Sequence, residues 1–220
     1  MESMAFIFDM DGTLIDNIDY HYDAWQKIVS ELHGNLEGEA LRKQLYGKNE
    51  EVLGRIFGTE TFNAQQLEEI SEQKEVYYRE LYKPHMKLMP GLEVFLEAAY
   101  MQNIPMAVGT ASYLRNIDLM LDTLHVRKYF KALVSAGDVS KSKPDPQTFL
   151  LAAERLGVPA NRCIVFEDVP KGVEAAANAG MKAVVVTTHY QAEDFKGFDN
   201  VICIIHDFRH LSLADLGLEA

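Results

Sequence analysis

Short runs of consecutive apolar residues, uninterrupted by polar ones, recur along the sequence and constrain its fold more than any other feature. Such runs are typical of strands that are buried on both faces, as in the centre of a parallel sheet. Between most of them lie segments whose apolar residues recur at helical spacing. The alternation predicts an α/β fold, a doubly wound parallel sheet with right-handed crossovers and helices on both faces. The predicted strands are residues 5–8, 105–108, 132–134, 163–166, 183–186 and 201–205.

Two carboxylates, Asp9 and Asp11, follow the first run directly. Side chains at positions i and i+2 of an extended chain point to the same side, so the two carboxylates can face one small volume. Like charges repel there unless a cation or a proton lies between them. Mg²⁺ suits this arrangement, because it prefers carboxylate oxygens and leaves positions for phosphate oxygens and water. The alternative is one Asp in a turn and a second Asp that caps a helix.

The ends of the second and third predicted strands carry polar residues of other kinds. Thr110, Ala111 and Ser112 offer hydroxyl and backbone N–H groups ahead of a helix, a combination that can hold a phosphate. The alternative is that Thr110 or Ser112 only caps that helix. After the third strand, Lys143 precedes a proline in segment 140–146. It either brings a positive charge to a phosphate or to the carboxylates, or it lies in a solvated turn.

The fourth strand leads into Glu167 and Asp168, and Pro170 follows in the first turn of a predicted helix. Asp168 can therefore cap the helix, bind a metal, or do both. In open α/β sheets, ligands bind beyond the carboxyl ends of the strands. Taken together, the four strand ends hold the groups needed for Mg²⁺-assisted phosphoryl transfer through an aspartyl-phosphate.

A long stretch from Asn17 to Tyr82 shows helical periodicity without short apolar runs. Its pattern predicts one amphipathic helix around residues 18–32 and another around residues 67–81, with a loop and a helix start at residues 46–51. The apolar stripe of the second helix contains Lys74. Because a buried unpaired ammonium is costly, Lys74 either extends to solvent, which we favour, or meets an anion.

The sequence is acidic, with 33 Asp and Glu against 21 Lys and Arg and a formal net charge of -12. This balance argues against nucleic acid or an anionic membrane as a partner, but not against a small anionic substrate. The absence of a run of about 18 apolar residues and of a signal-like start predicts a soluble, cytoplasmic protein. We expect a monomer or a weak oligomer, although no sequence feature determines the oligomeric state. Cys163 and Cys203 lie in apolar runs and are predicted to be buried reduced thiols.

The four strand-end segments, in this order on an α/β chain, resemble the four motifs of the haloacid dehalogenase superfamily. The segment Asp9-Met10-Asp11-Gly12, together with residues 20–25, is similar to the β-phosphoglucomutase-like subfamily. The resemblance covers nearly the whole chain. It implies a catalytic core of residues 1–15 and 85–220 and an inserted C1-type helical cap of residues 16–84. Residues 13–16 and 83–86 would be the hinges.

The same resemblance implies roles for the strand-end residues. Asp9 would be the nucleophile, and Asp11 would be the general acid and base. Lys143 and Thr110 would hold the transferred phosphoryl group, with Ala111 and Ser112 beside them. Mg²⁺ would be bound by four acidic residues, Asp9, Asp11, Glu167 and Asp168, with Asp11 also contributing its backbone carbonyl.

The implied function is Mg²⁺-dependent phosphoryl transfer on a small phosphorylated metabolite such as a sugar phosphate. His21, Gly47, Lys48 and Lys74 would contact the substrate from the cap. β-Phosphoglucomutases carry an arginine where this chain has Asn49, and that difference favours hydrolysis. The first alternative is a β-phosphoglucomutase that interconverts glucose 1-phosphate and glucose 6-phosphate. The second is a non-catalytic scaffold that binds a phosphorylated ligand.

Overall fold

The computed structural model describes residues 4–218, and the chain divides into two compact units. The core unit comprises the chain up to Asp16 and from Lys87 onward, and the helical unit is Asn17–Met86. These boundaries lie one and two residues beyond the predicted ones. The ends of the predicted core, residues 1–3 and 219–220, lie outside the described residues.

The helices and strands alternate along the core unit as the apolar pattern predicts. The strands are β1 (Ala5–Phe8), β2 (Met106–Gly109), β3 (Ala132–Val134), β4 (Cys163–Glu167), β5 (Lys182–Val186) and β6 (Val201–Ile205). All six predicted strands are confirmed, each within one residue of its predicted bounds. The helices in chain order are α1 (Ile18–Glu31), α2 (Gly38–Arg42), α3 (Asn49–Phe57), α4 (Ala64–Tyr82), α5 (Leu92–Met101), α6 (Leu114–Thr123), α7 (Gln147–Leu156) and α8 (Pro170–Asn178).

The strands form one parallel sheet in the order β3-β2-β1-β4-β5-β6, which confirms the predicted doubly wound fold. The central strand β1 pairs with β2 on one side and with β4 on the other, so that Phe8 lies opposite both Val108 and Phe166. Since all neighbouring strands are parallel, their carboxyl ends meet at one edge of the sheet. The four strand ends singled out in the sequence belong to four adjacent strands at that edge.

Both faces of β1 are covered, which explains its unbroken apolar sequence. Phe6 and Phe8 lie on one face and contact Phe166, with ring centroids 5.4 and 4.3 Å away respectively. Ile7 points to the opposite face, where it belongs to a second apolar cluster that includes Phe149 of α7. Burying one such side chain contributes about 1.5–3 kcal/mol, so β1 anchors the residues that follow it firmly.

The helical unit contains α1 to α4 and a core of its own, in which Trp25 and Ile28 of α1 pack with Val52 and Leu53 of α3. The predicted helices around residues 18–32 and 67–81 are confirmed as α1 and α4, and the predicted helix start near residue 49 is confirmed as α3. Helix α4 begins beyond Asn63, whose side chain accepts a hydrogen bond from the backbone N–H of Gln66 at 2.9 Å.

Both cysteines are free thiols, but only Cys163 is buried, whereas Cys203 on the edge strand β6 is partly exposed. The prediction of two buried thiols is therefore wrong for Cys203, because a strand at the edge of the sheet has fewer neighbours. Burial raises the pKa of the Cys163 thiol to about 11. Within residues 4–218, no helix combines the length and apolarity needed to cross a membrane.

Candidate active site

The carboxyl edge of the sheet brings Lys143 into contact with two acidic residues. Its Nζ lies 2.6 Å from Asp9 Oδ1, beyond the end of β1, and 2.7 Å from Glu167 Oε1, at the end of β4. The same Nζ lies 3.3 Å from the carbonyl oxygen of Gly109, the last residue of β2. The Lys143–Pro144 peptide bond is cis. Lys143 thus joins three strand ends, and it does not lie in a solvated turn.

Glu167 is fully buried, and both of its oxygens have protein donors. Oε1 accepts from Lys143, while Oε2 accepts from the backbone N–H groups of Asp168 and Val169 at 2.8 and 3.0 Å. The carboxylate lies over the first turn of α8 against Gly172, where a Cβ atom would come within 1.9 Å of Glu167 Cδ. The lack of a side chain at Gly172 makes room for this position.

Asp168 lies next to the loop that carries the first aspartates. Thr13 Oγ1 donates a long hydrogen bond of 3.4 Å to Asp168 Oδ1. Asp168 Oδ2 is buried and has no hydrogen-bond partner among residues 4–218. Gly12 adopts φ +79°, and a Cβ atom there would lie 2.1 Å from Oδ2. Glycine is therefore favoured at position 12 for two reasons. Its backbone adopts a left-handed conformation, and its lack of a side chain leaves room for Asp168.

Asp9, Asp11, Lys143, Glu167 and Asp168 form what we call the core carboxylate cluster, in which four acidic residues share one lysine. Burial raises the pKa of Asp9 to about 7, an effect that Lys143 opposes and that the negative charges of Glu167 and Asp11 reinforce. The pKa of Asp168 is also raised, first by burial and then by Glu167 and Asp9. Burial would lower the pKa of Lys143, but Asp9 and Glu167 outweigh it and the pKa is raised. The cluster carries an excess of negative charge that a divalent cation would compensate.

The structure narrows the set of four predicted metal ligands. Within residues 4–218, no three His, Cys, Asp or Glu side chains gather into a preformed metal centre. Both oxygens of Glu167 have protein donors, and the Asp11 carboxylate accepts a hydrogen bond from Ser112 Oγ. Lys143 contacts Asp9 at Oδ1, and Asp168 Oδ2 has no hydrogen-bond partner among residues 4–218, so Asp9 and Asp168 are the two carboxylates best placed for a cation. A set of one or two carboxylates is the usual protein contribution to a Mg²⁺ site, because this ion retains several waters.

Two backbone N–H groups in the segment after β2 already donate hydrogen bonds within the protein. The backbone N–H of Thr110 donates to Val134 of β3, and that of Ser112 donates to Thr110 Oγ1, at 3.0 and 3.2 Å. The prediction that these backbone donors are free for phosphate is therefore wrong for Thr110 and Ser112. Ser112 Oγ lies 2.5 Å from Asp11 Oδ2. The hydroxyl of Ser112 thus orients the predicted general acid and base.

Sequence reasoning missed Thr188, which lies two residues beyond β5. Its Oγ1 donates to the carbonyl oxygen of Gly12 at 2.5 Å and supports the loop between Asp11 and Thr13. The signal was present, since Thr187 and Thr188 are polar residues at the end of a fifth strand. The same rule that identified the other four strand ends would have found it.

In the helical unit, Lys74 is buried and makes two polar contacts. Its Nζ lies 2.9 Å from Glu75 Oε1 and 2.7 Å from His21 Nδ1. The favoured prediction that Lys74 extends to solvent is therefore wrong, and the alternative of an anionic partner is confirmed. Asn49, at the start of α3, donates from Nδ2 to the same Glu75 oxygen at 2.8 Å.

His21, Asn49, Lys74, Glu75 and Tyr78 form what we call the Lys74 cluster. The rings of His21 and Tyr78 are stacked, with centroids 3.8 Å apart and an interplanar angle of 8°. Burial by itself would raise the pKa of Glu75, but Lys74, His21 and the Asn49 hydrogen bond outweigh it and lower the pKa to about 2. His21 Nδ1 and Lys74 Nζ are 2.7 Å apart, so His21 also contacts the cation that pairs with Glu75.

The loop that contains Gly47 and Lys48 is held by Arg55. The Arg55 guanidinium donates to the carbonyl oxygens of Gln44, at 2.8 Å, and of Tyr46, and it lies 3.7 Å from the centroid of the Tyr46 ring. Arg55 is therefore a structural residue. Gly47 adopts φ +76°, and the backbone N–H of Lys48 donates to Glu51 at the start of α3.

The chain is similar to known proteins over most of its length. A family model described as haloacid dehalogenase-like hydrolase matches residues 6–186. A phosphorylated carbohydrates phosphatase of Thermotoga maritima is 33% identical over 193 residues, which cover 84% of this chain and 85% of that protein. A fructose-1-phosphate phosphatase of Escherichia coli is 33% identical over 195 residues, covering 83% and 95%. The crystal structure of a β-phosphoglucomutase from Clostridium difficile superimposes with a TM-score of 0.86 at 27% identity, covering 98% and 96% of the two chains.

Proposed function

The chain belongs to the haloacid dehalogenase-like hydrolase family, and we propose that it hydrolyses a small phosphorylated metabolite such as a sugar phosphate, using Mg²⁺ and an aspartyl-phosphate intermediate. The family and its relatives make the chain an enzyme of the phosphatase and phosphomutase type. The proposal concerns the choice between these two reactions, the substrate and the residues that act. A non-catalytic scaffold does not agree with this membership.

The observation that carries the proposal is the contact between Lys143 and Asp9. A buried carboxylate at the end of a central strand, held at 2.6 Å by a lysine, is fixed in position and direction. Lys143 is also bound by Glu167, which is itself anchored to the start of α8. We therefore assign Asp9 as the nucleophile and Glu167 as a positioning residue for Lys143, and we do not count Glu167 among the metal ligands.

The residues present fit a divalent cation. Asp168 Oδ2 is a buried oxygen that has no protein donor among the described residues, and Asp9 Oδ1 has Lys143 beside it. We propose that Asp9, Asp168 and the backbone carbonyl of Asp11 hold Mg²⁺. When bound, the ion would offset negative charge on the phosphoryl oxygens and on the two carboxylates.

The chain's own residues account for two successive transfers. Asp9 attacks phosphorus, a new Asp9 oxygen–phosphorus bond forms, and the ester oxygen–phosphorus bond breaks. Asp11 gives a proton to the leaving ester oxygen, while Lys143 and the Thr110 hydroxyl hold the transferred group. Asp11 then takes a proton from water, whose oxygen attacks phosphorus and releases inorganic phosphate and free Asp9.

A β-phosphoglucomutase is the second candidate, since the fold of the Clostridium difficile enzyme covers almost the whole chain. In that reaction a sugar hydroxyl takes the place of water as the acceptor. Asn49 argues against it, because a neutral amide replaces the arginine expected at this position, and Asn49 is already hydrogen-bonded to Glu75.

One assay separates the candidates. The protein is incubated with Mg²⁺ and p-nitrophenyl phosphate, and separately with β-glucose 1-phosphate primed with glucose 1,6-bisphosphate. Free phosphate and glucose 6-phosphate are followed in the same tube. We expect phosphate release from the aryl ester and from sugar monophosphates. Glucose 6-phosphate that forms much faster than free phosphate would make the chain a mutase, and no phosphate from any ester would refute the proposal.

A further inference from the structure

A fifth strand end, that of β5, contacts the loop of residues 9–16, which we call the β1 loop. Thr188 Oγ1 donates to the carbonyl oxygen of Gly12 at 2.5 Å. The next residue, His189, lies with its Nε2 3.3 Å from Oδ1 of Asp16. All four residues belong to the core unit. The segment after β5 therefore contacts the β1 loop at two points.

Thr188 is itself held in place by the backbone of the sheet. The backbone N–H of the preceding residue, Thr187, donates to the carbonyl oxygen of Ile205, the last residue of β6, at 2.8 Å. The backbone N–H of Thr188 donates to the carbonyl oxygen of Val186, the last residue of β5, at 3.0 Å. The Thr188 hydroxyl is thus a donor at a fixed position beside the β1 loop.

The acceptor, Gly12, is the one glycine of the β1 loop. Glycine has no side chain to restrict its backbone, so hydrogen bonds must hold the peptide units on either side of it. The unit before Gly12 is held within the loop, because the Gly12 N–H donates to the carbonyl oxygen of Ile15 at 2.8 Å. The unit after Gly12 has a longer bond within the loop, from the N–H of Thr13 to the carbonyl oxygen of Met10 at 3.3 Å. Thr188 supplies this second unit with a shorter bond from outside the loop.

The peptide unit between Asp11 and Gly12 carries the backbone carbonyl that we propose as a Mg²⁺ ligand. In a planar trans peptide unit, the N–H and C=O groups point in opposite directions. Because the Gly12 N–H points towards Ile15, the Asp11 carbonyl points away from that hydrogen bond. The two backbone torsions of Gly12 join this unit to the one that Thr188 holds. The Thr188 hydrogen bond therefore restricts the rotation of the Asp11 carbonyl.

Asp168, the carboxylate with the unpaired oxygen, depends on the same part of the β1 loop. Thr13 Oγ1 donates to Asp168 Oδ1 at 3.4 Å, and a Cβ atom on Gly12 would lie 2.1 Å from Asp168 Oδ2. Gly12 and Thr13 share the peptide unit whose oxygen accepts from Thr188. A shift of this unit would therefore disturb two of the proposed Mg²⁺ ligands, the Asp11 carbonyl and the Asp168 carboxylate.

We propose that Thr188 is a positioning residue for the Mg²⁺ site, which its hydroxyl supports through the Gly12 carbonyl. This inference rests on the proposed function, and it adds β5 to the four strand ends that form the site. In this role Thr188 contacts the loop rather than the ion or the substrate. Removing a group that orients the ligands of a metal typically lowers metal affinity or activity by about 10–100-fold.

The test replaces Thr188 with valine, which has a similar shape but no hydroxyl. Mg²⁺ binding is measured without any reaction, as the rise in melting temperature when Mg²⁺ is added to the EDTA-treated protein. We expect Thr188→Val to need about tenfold more Mg²⁺ than the wild type for the same rise. Hydrolysis of p-nitrophenyl phosphate should fall by a similar factor at limiting Mg²⁺ and recover at high Mg²⁺. Thr188→Ser keeps the hydroxyl and should need Mg²⁺ within about twofold of the wild type.

The matched control is Thr187→Val. The Thr187 hydroxyl also donates to a backbone carbonyl, that of Ile205 at 3.1 Å, and the backbone hydrogen bond to the same oxygen remains in the variant. Both valine variants lose one hydrogen bond of the same kind, so their melting temperatures without Mg²⁺ should fall by similar amounts. The Mg²⁺ requirement of Thr187→Val should stay within about twofold of the wild type, because its hydroxyl does not reach the β1 loop.

An unchanged Mg²⁺ requirement in Thr188→Val would overturn the inference, and so would an equal increase in Thr187→Val or Thr188→Ser. If Thr188→Val does not fold, Thr188→Ala takes its place under the same criteria. Failure of both to fold would make Thr188 a residue of the fold rather than of the metal site, which also overturns the inference.

A wild-type protein whose melting temperature does not rise with Mg²⁺ would overturn the inference as well. In each of these cases, hydrolysis of p-nitrophenyl phosphate by the wild type leaves the proposed function intact. No phosphate release from any ester would refute the proposed function and this inference together.

Discussion

The two units of this protein each bury a lysine against carboxylate, but the charge balance differs. In the core carboxylate cluster one lysine, Lys143, faces several acidic side chains, and the pKa of Asp9 is raised to about 7. In the Lys74 cluster one lysine faces one carboxylate, and the pKa of Glu75 is lowered to about 2. A surplus of buried negative charge is unfavourable unless a cation joins it, whereas a matched pair needs no further ligand. The core carboxylate cluster is therefore suited to an additional cation, whereas the Lys74 cluster is already charge-balanced within the protein.

The largest expected effect comes from replacing Asp9, the proposed nucleophile in the core carboxylate cluster. Asp9→Asn should lower kcat by at least about 10⁴-fold, because an amide cannot form the phosphoryl-enzyme bond. Its melting temperature without Mg²⁺ should stay equal to that of the wild type or rise, since one charge leaves a crowded cluster. Phosphate release and thermal unfolding measure the two effects.

The control for Asp9→Asn is Asp122→Asn, which removes a carboxylate from an exposed ion pair with Arg127 in the same unit. Its activity should be close to that of the wild type. Full activity in Asp9→Asn would contradict the assignment of the nucleophile.

Lys143→Met removes the only cation of the core carboxylate cluster and keeps an apolar side chain of similar length. We expect kcat/KM to fall by about 10³-fold, because the phosphoryl group loses a charge-assisted contact. Unlike Asp9→Asn, this variant should melt at a lower temperature without Mg²⁺, since Asp9 and Glu167 lose their common partner.

Lys141→Met is the matched control, because Lys141 is an exposed residue on the same segment. It should change neither activity nor melting temperature appreciably. Opposite shifts of melting temperature in Asp9→Asn and Lys143→Met would establish the surplus of negative charge, whereas shifts of the same sign would contradict it.

Gly172→Ala tests whether Glu167 acts through Lys143. Alanine raises helix propensity by about 1 kcal/mol relative to glycine, so the change alone would stabilise α8. Its Cβ atom would lie 1.9 Å from Glu167 Cδ, however, and the carboxylate would have to move. We therefore expect a lower melting temperature and a fall in kcat/KM of about 10²-fold.

The control for Gly172→Ala is Gly137→Ala. At Gly137 the nearest atom to a new Cβ is Ser135 Oγ at 3.8 Å, an ordinary contact. A stabilised and fully active Gly172→Ala would show that Glu167 is not needed to position Lys143.

The sequence predicts the core carboxylate cluster well, because the pattern that indicates it lies in a few consecutive residues at each strand end. A buried strand that ends in a carboxylate is visible in a few consecutive letters, and parallel pairing then gathers all the strand ends at one edge. Roles within one strand end are harder to predict. Glu167 and Asp168 look equivalent in the sequence, but neighbouring residues of an extended chain point in different directions. The room for Glu167 comes from Gly172, five residues further on.

The sequence pattern does not predict the contacts within the Lys74 cluster. Adjacent residues of a helix do not face each other in an idealised pattern, so Glu75 is not an obvious partner for Lys74. Two long side chains nevertheless meet at 2.9 Å, and Asn49 joins them from another helix. This arrangement depends on how α3 and α4 pack, which periodicity does not reveal.

The smallest effect that we predict concerns the Lys74 cluster, where the ion pair of Glu75 should make the stability of the protein depend on pH. Glu75 has a pKa of about 2 in the folded protein and an ordinary value of 4.5 in the unfolded chain. The unfolded chain therefore binds the proton first as the pH falls. The ion pair contributes about 3 kcal/mol to the free energy of unfolding above pH 5, and this contribution disappears between about pH 4.5 and pH 2.

The measurement is denaturant unfolding of the wild type and of Glu75→Gln from pH 7 down to pH 3. The difference between the two free energies should be largest near neutral pH and should shrink steadily below pH 4.5. Glu80→Gln, at an exposed position of the same helix, should differ from the wild type by a small and nearly constant amount. A difference for Glu75→Gln that does not change with pH would mean that Lys74 is not balanced by Glu75. The description of the Lys74 cluster as charge-balanced would then be wrong, whereas the surplus of negative charge in the core carboxylate cluster would be unaffected.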